Sequence, residues 1–333
     1  MGQKLAFLLL FLLAVIAAGC GGVGASSASS TTAPTPTPTA TPGPSATPTP
    51  TPGPSPSPTP TPVPAADHVF LILLENHGFS QVIGSAAMPY LNSLASQHAL
   101  ATNYFANTHP SIGNYFMLTT GNIETNDDAF AGTVSSDSIP RAFAASGKTW
   151  KAYMESLPST GYTGGDVYPY FKHHNPFAYM TDVLGSSAEL ANLAPYTQLA
   201  ADLGAGTLPN FAFIAPNAED DAHDCPTGGS TCLDTDKLTA ADNWLKNNID
   251  PLIKSPALAN SVFIIVFDES DVDPANGGGK VAMVMAGSHV KTAFKSTTLF
   301  QHQSTLQLVM DLLRVADHPG NSATAPTMQE FFQ

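Results

Sequence analysis

The chain has 333 residues and carries 26 Asp and Glu against 12 Lys and Arg, a formal net charge of −14. That balance argues against a general binder of nucleic acid or anionic surfaces, which needs clustered Lys and Arg. It leaves room for a small anionic substrate, because a bound metal can supply the local positive charge.

Residues 1–20 carry Lys4, then the apolar run 5–18, then Gly19-Cys20. The run is short for a bilayer span and closes on small residues, the pattern of an export signal. Cys20 after Ala17-Ala18-Gly19 resembles a bacterial lipoprotein cleavage site. The expectation is a lipidated Cys20 that anchors the protein to a bacterial membrane, facing periplasm or exterior; cleavage without lipidation is the alternative. Residues 21–65 are built from Ser, Thr, Pro, Ala and Gly with repeated Thr-Pro and Ser-Pro. With almost nothing to bury, they predict an extended spacer. Residues 66–333 remain as a single α/β domain.

Inside that domain, Val69 to Leu74 is an uninterrupted apolar run rich in β-formers, which predicts a strand buried on both faces of a parallel sheet. It stops at Glu75-Asn76-His77, and ligands of open α/β sheets sit outside the carboxyl ends of the strands. Residues 88–97 space Leu91, Leu94 and Ala95 as one helical face. In 102–115 (TNYFANTHPSIGNY), Pro110 suits the first position of a helix that Gly121 would stop. Ser111 then falls in the first turn, where free amides and the helix dipole favour an anion.

Residues 148–154 (KTWKAYM) predict a strand ending at Glu155, followed by a polar and aromatic loop that contains Lys172-His173-His174. Residues 208–215 predict another buried strand, opening into PNAEDDAHDC with Asp221 and His223. Thr239 followed by Asp242 resembles a capping box for a helix over 239–249. A second long apolar run, 261–267 (SVFIIVF), ends at Asp268-Glu269-Ser270. Residues 280–286 (KVAMVMA) predict a further strand, and 303–315 a closing helix. This alternation predicts a three-layer α/β/α sandwich around a central, mostly parallel sheet.

With Cys20 taken by lipid, Cys225 and Cys232 remain, and in an exported protein they predict a short-loop disulfide. Zinc ligation with two further soft ligands is the alternative.

The strand ends and loops together offer Glu75, Asn76, Ser111, Glu155, His173, His174, Asp221, His223, Asp268 and Glu269. Carboxylates aimed at one point repel and resist burial, and a bound cation is the usual remedy. Hard oxygen ligands suit magnesium, calcium or manganese, and imidazole opens the set to zinc or iron. A serine beside a metal can attack phosphorus, with histidines neutralising charge or protonating the leaving oxygen. Each group alone has a plain structural explanation as a turn, a solvated strand end or a surface pair. Their joint placement after strands points to a hydrolase-like site.

The motifs ENHGF, THPSIGNYFMLTTGN, YMES, KHHNPF, PNAEDDAHDC and VFDESD occur in that order over residues 67–315. Together they resemble the bacterial phosphoesterase family of acid phosphatases and phosphatidylcholine-type phospholipases C, within the alkaline-phosphatase-like superfamily. The resemblance implies an alkaline-phosphatase-like fold and one or two divalent metal ions, held by Glu75, Asn76, Ser111, Asp268 and Glu269. It implies attack by Ser111 on phosphorus, a phosphoserine intermediate, and His173, His174 and His223 around the phosphoryl group. Asn114, Glu155 and Lys172 are the expected substrate-binding residues, and Thr108 is the second choice of nucleophile.

The phospholipase branch typically has an Asp-rich segment where this chain has THPSIGNY, which sets it nearer the phosphatase branch. The family often continues after its late acids with a glycine and an Asp-His segment. VFDESDVDPANGGGK is short and lacks that histidine, with His289 left open as its substitute. The expected activity is phosphomonoester hydrolysis of a small phosphorylated substrate, ahead of phospholipase C-type diester hydrolysis. A surface binding lipoprotein without turnover is the reading from a different class, and retention of Ser111 with all five ligand positions argues against it. A sulfatase-like enzyme would need a C/S-x-P-x-R pattern, whereas Ser111 is followed by Ile-Gly-Asn-Tyr.

Overall fold

Two uninterrupted apolar runs form the middle of the fold. In the computed structural model, which describes residues 62–271 and 273–333, the strands are β1 (His68–Leu74), β2 (Ala99–Ala101), β3 (Tyr104–Phe105), β4 (Trp150–Met154) and β5 (Leu193–Pro195). They continue with β6 (Phe211–Ala215), β7 (Ser261–Phe267), β8 (Met283–Gly287), β9 (Phe294–Ser296) and β10 (Phe300–Gln301). Eight make one sheet in the order β5-β4-β6-β1-β7-β8-β2-β9, while β10 pairs with β3. The expected signal and Cys20 lie outside the described residues, as does the spacer up to residue 61.

β1 and β7 pair in parallel along their full length, from His68 opposite Ser261 to Leu74 opposite Phe267. Both are buried on both faces, which is why their sequences are continuously apolar instead of alternating. Phe70 and Phe263 stack between them with ring centroids 4.6 Å apart. The helix Ile112–Thr120 packs on His302–Leu313, which lies against β1. Pro89–Gln97 packs on Asp234–Asn248 and against β2 and β8. The result is a mixed α/β fold with a large, mostly parallel central sheet.

Three expectations change. The 280–286 run becomes a strand only from Met283, and it runs antiparallel to both β7 and β2. Val262 faces Gly287, so the carboxyl end of β8 lies where β7 begins. His289, two residues beyond, therefore sits at the sheet edge away from Glu75 and Asp268 and cannot stand in for the missing histidine. Second, the helix expected over 239–249 starts at Asp234. Asp242 does not cap its own helix; its carboxylate accepts from Tyr90 N–H at 2.9 Å and Leu91 N–H at 2.8 Å. It satisfies the free amides at the start of Pro89–Gln97, a role that only the tertiary fold could assign. Third, ordered packing begins ahead of residue 66: Val63 is buried, and its carbonyl accepts from Arg314 Nη2 at 2.7 Å.

Gly121 ends the Ser111 helix as expected, with φ 72°. A Cβ there would meet Pro319 O at 2.2 Å, so both conformation and space demand glycine. Cys225 and Cys232 form a disulfide with Cα atoms 5.6 Å apart, which displaces the zinc alternative. Among the described residues, no helix is long and apolar enough to cross a membrane.

Asp242→Ala strips the buried start of Pro89–Gln97 of its acceptor. It should cost about 1 kcal/mol of stability, read as a lower urea midpoint at unchanged m-value.

Candidate active site

Parallel pairing of β6, β1 and β7 brings three strand ends to one edge. Main-chain bonds lock their acidic residues together. Glu75 N–H donates to Asp221 O at 2.8 Å, and Asp268 N–H donates to Leu74 O at 2.9 Å. Asn76, in a left-handed conformation with φ 49°, donates its N–H to Asp268 Oδ1 at 3.1 Å. Glu75, Asp221, Asp268 and the adjoining Glu269 are each at most 6% exposed. Arg141, Lys151 and Lys254 make their ion pairs with other carboxylates.

Ser111 stands at the start of Ile112–Thr120, and its hydroxyl donates to Glu75 Oε2 at 3.0 Å. Residues three and four positions on share its helix face. Asn114 Nδ2 donates to Glu269 Oε2 at 3.3 Å and to Thr108 O at 2.9 Å, while its Oδ1 accepts from Asn107 N–H at 2.9 Å. Tyr115 donates its hydroxyl to Glu75 Oε1, and its ring stacks on His174 with centroids 5.1 Å apart.

The histidines form one wall. His173 and His174 lie on the short turn Lys172–His174, and His223 follows β6. Phe171 packs against all three, with centroid distances of 5.2, 5.6 and 5.8 Å to His173, His174 and His223. His174 points Nε2 at Glu75 Oε1 and Nδ1 at Asp221 Oδ2, each 3.4 Å away. His223 pairs through Nδ1 with Asp224 Oδ1 at 2.8 Å.

Other expected site residues are placed differently. Glu155 accepts from Trp244 Nε1 and Asn217 N–H, both at 3.0 Å, so its carboxylate ties loops together and does not face the serine. Lys172 rests its ammonium over the Tyr179 ring, 4.3 Å from the centroid. The Thr108 hydroxyl turns to His109 O at 3.2 Å, away from the carboxylates. Asn76 joins the cluster through its main-chain bond to Asp268.

Sequence reasoning missed three participants, Tyr115, His109 and His302, and pooled Asp221 with the other strand-end residues without a specific role. Tyr115 is legible as Ser111 plus four in a helix. His109 bridges Glu269 Oε2 (3.0 Å) and Asp273 O (3.1 Å). His302 donates from Nε2 to Asp268 O at 2.6 Å and meets Tyr104 Oη through Nδ1 at 3.0 Å. Both its nitrogens are engaged, so it buttresses the late acids, and no local pattern announced it.

The electrostatics point to a cation. Burial, reinforced by Asp268 and Asp221, drives the Glu75 pKa well above the carboxylate range. Burial raises Asp268 to about 6 and Asp221 to about 8. Glu269 is raised by burial and then by Asp268. His174 falls to about 3, chiefly through burial, and is a neutral ligand at ordinary pH. Asp268 Oδ2, Asp221 Oδ2 and His174 Nε2 are buried without a hydrogen-bond partner. Glu75, His174 and Asp221 each offer a ligand atom within 4.8 Å of the others. Orphaned donor atoms on hard oxygen and imidazole ligands fit a divalent cation.

The model of the phosphoesterase family matches residues 85–316. The chain is 26% identical over 269 residues to a phosphatidylinositol-3-phosphatase of Mycobacterium tuberculosis, covering 80% of this chain and 82% of that one. It is 28% identical to a probable acid phosphatase of Kluyveromyces lactis over 76% of this chain and 60% of the relative. A phosphate-repressible acid phosphatase of Penicillium chrysogenum is 30% identical, over 70% of this chain and 55% of its own. The chain thus spans little more than half the length of these fungal relatives. Among solved structures, a protein in the alkaline phosphatase superfamily from Vibrio parahaemolyticus matches with a TM-score of 0.56 at 12% identity, over 81% of this chain and 72% of that chain. That likeness gives the fold.

Carboxylates whose pKa rises on folding make the folded state bind more protons than the unfolded chain. Stability then falls as pH climbs from the ordinary 3.8 of Asp through about 6 for Asp268 and about 8 for Asp221. With chelator present, the melting temperature should drop between pH 5 and 8. A divalent cation that displaces those protons should raise it, by more at pH 8 than at pH 5. Melting curves with no cation-dependent gap at pH 8 would rule out a cation site.

Proposed function

The chain belongs to the phosphoesterase family, and on that footing we propose that it is a metal-dependent phosphomonoesterase working through a phosphoserine at Ser111. The observation that carries this reading is the Ser111 hydroxyl, bonded at 3.0 Å to a carboxylate that shares its buried cluster with three more. The acid phosphatase and phosphatidylinositol-3-phosphatase names of the relatives support phosphatase over phospholipase action. The reading includes export and anchoring through Cys20.

One or two divalent cations held by Glu75, Asp221, His174, Asp268 and Glu269 would lower the Ser111 pKa and offset charge on the phosphoryl oxygens. Glu75 Oε2 holds the Ser111 hydroxyl in place, and the hydroxyl proton leaves to solvent water as Oγ attacks. Oγ then bonds to phosphorus while the bond to the leaving oxygen breaks. His223, held through Nδ1 by Asp224, acts as the acid that gives that oxygen a proton from Nε2. Water, losing a proton to His223 in turn, attacks the phosphoserine and frees inorganic phosphate, and Oγ recovers a proton from solvent water. Each displacement inverts phosphorus, so the configuration is retained overall. His173, brought to about 4 by burial and then by His174, remains a neutral donor to the phosphoryl oxygens.

Hydrolysis of p-nitrophenyl phosphate should exceed that of bis(p-nitrophenyl) phosphate and of p-nitrophenyl phosphorylcholine, and should stop with chelator. Ser111→Ala should lower kcat by roughly three orders of magnitude or more while the protein stays folded. Faster turnover of the phosphorylcholine ester would move the protein to phospholipase C chemistry. Folded protein inert toward all three esters with any divalent metal would favour a binding lipoprotein.

Tyr115→Phe keeps the ring on His174 and deletes only the hydrogen bond to Glu75. It should cut kcat about 10- to 100-fold, the usual worth of a bond to a charged group, and an unchanged kcat would deny Tyr115 a part in holding Glu75.

A further inference from the structure

The first amide after Ser111 is already taken. Ile112 N–H donates to Asp128 Oδ1 at 3.1 Å. Amides at a helix start are a natural seat for phosphate oxygens, and the donor next to a nucleophile is well placed for charge that develops there. A carboxylate oxygen holds that seat here.

Asp128 is no stray surface acid. The loop that carries it lies flush on the helix start, where a Cβ on Gly113 would meet Asn126 Oδ1 at 2.4 Å and Ile123 Cγ2 at 3.2 Å. Asp128 is partly buried. At His173 and Glu269 burial dominates, followed by His174 and Asp268 respectively, and Asp128 lies close enough for its charge to act on both. Unlike Glu75, Asp221, Asp268 and Glu269, which share the buried cluster, Asp128 stands at an N–H donor that a phosphoryl oxygen could use.

We propose that Asp128 is an internal stand-in for the substrate phosphoryl group. Its carboxylate occupies the Ile112 amide until a phosphoryl oxygen displaces it, and so sets how tightly phosphomonoesters and inorganic phosphate bind. The proposal rests on the reading of Ser111 as nucleophile. It gives the site a way to release its product, because phosphate must hold its place against a tethered competitor.

Calorimetric titration of inorganic phosphate into the purified chain tests it, with the divalent cation that supports p-nitrophenyl phosphate turnover. Asp128→Ala should bind phosphate about tenfold more tightly than the wild type, the equivalent of about 1.4 kcal/mol. Asp128→Asn keeps an acceptor for Ile112 N–H without the charge, and should fall between the two. It also supplies a folded comparison should the alanine variant unfold. A wild type that turns over ester while neither variant binds phosphate more tightly would overturn the stand-in role alone. Folded wild-type protein that neither turns over ester nor binds phosphate with any divalent cation would overturn that role and the Ser111 reading together.

Discussion

Mutual repulsion among four buried carboxylates is the constraint around which this molecule is arranged. Glu75 and Asp268 follow strands that pair residue for residue up to Leu74 and Phe267, so the register that buries the apolar runs also sets the two acids side by side. A slip of one residue would separate them, but it would also turn the apolar faces out of register with their neighbours. Asp221 is fixed through its carbonyl to Glu75 N–H. The backbone therefore leaves these groups no retreat to solvent. They can hold protons, as their raised pKa values indicate, or share a cation, and only the cation returns them to service as charged ligands.

The helix that begins at Ser111 turns this charge cluster into a site. Three residues on one of its faces reach two of the carboxylates: Ser111 and Tyr115 both hold Glu75, and Asn114 ties Glu269 to the loop before the helix. A change in the tilt of this helix would shift Ser111 and the carboxylates it bonds together. A Cβ on Gly113, at the same helix start, would meet the side chains of Asn126 at 2.4 Å and Thr108 at 2.5 Å, so the loops before and after the helix both pack on it. Packing on Phe171 gives the histidine wall a similar common support, so His173, His174 and His223 are positioned as a unit.

What could be read from the sequence divides along a physical line. Strands β1 and β7 were legible because a run buried on both faces needs no knowledge of its neighbours, and their acidic ends carried the site with them. The direction of β8 was not legible: an apolar run looks the same parallel or antiparallel, and only its pairing with β7 places His289 at the far edge. Asp242 read as a cap for its own helix, and it is a cap for a different one. Glu155 sat after a strand like the true site acids, yet Trp244 and Asn217 claim both its oxygens. Long-range partners decide the use of a polar residue, and they leave no local periodicity. Tyr115 is the exception, since its spacing from Ser111 alone puts it on the same helix face as that serine.

The chain's net charge of −14 bears on how an anionic substrate arrives. Such a surface offers no long-range attraction to a phosphomonoester, and ions at physiological strength screen fields beyond about 8 Å. Under the proposed reading, capture would therefore depend on short-range groups: a cation at the buried carboxylates, His173 and His174, and the amides at the start of the Ser111 helix. Such groups act most strongly where water is excluded, and the carboxylates around them are buried.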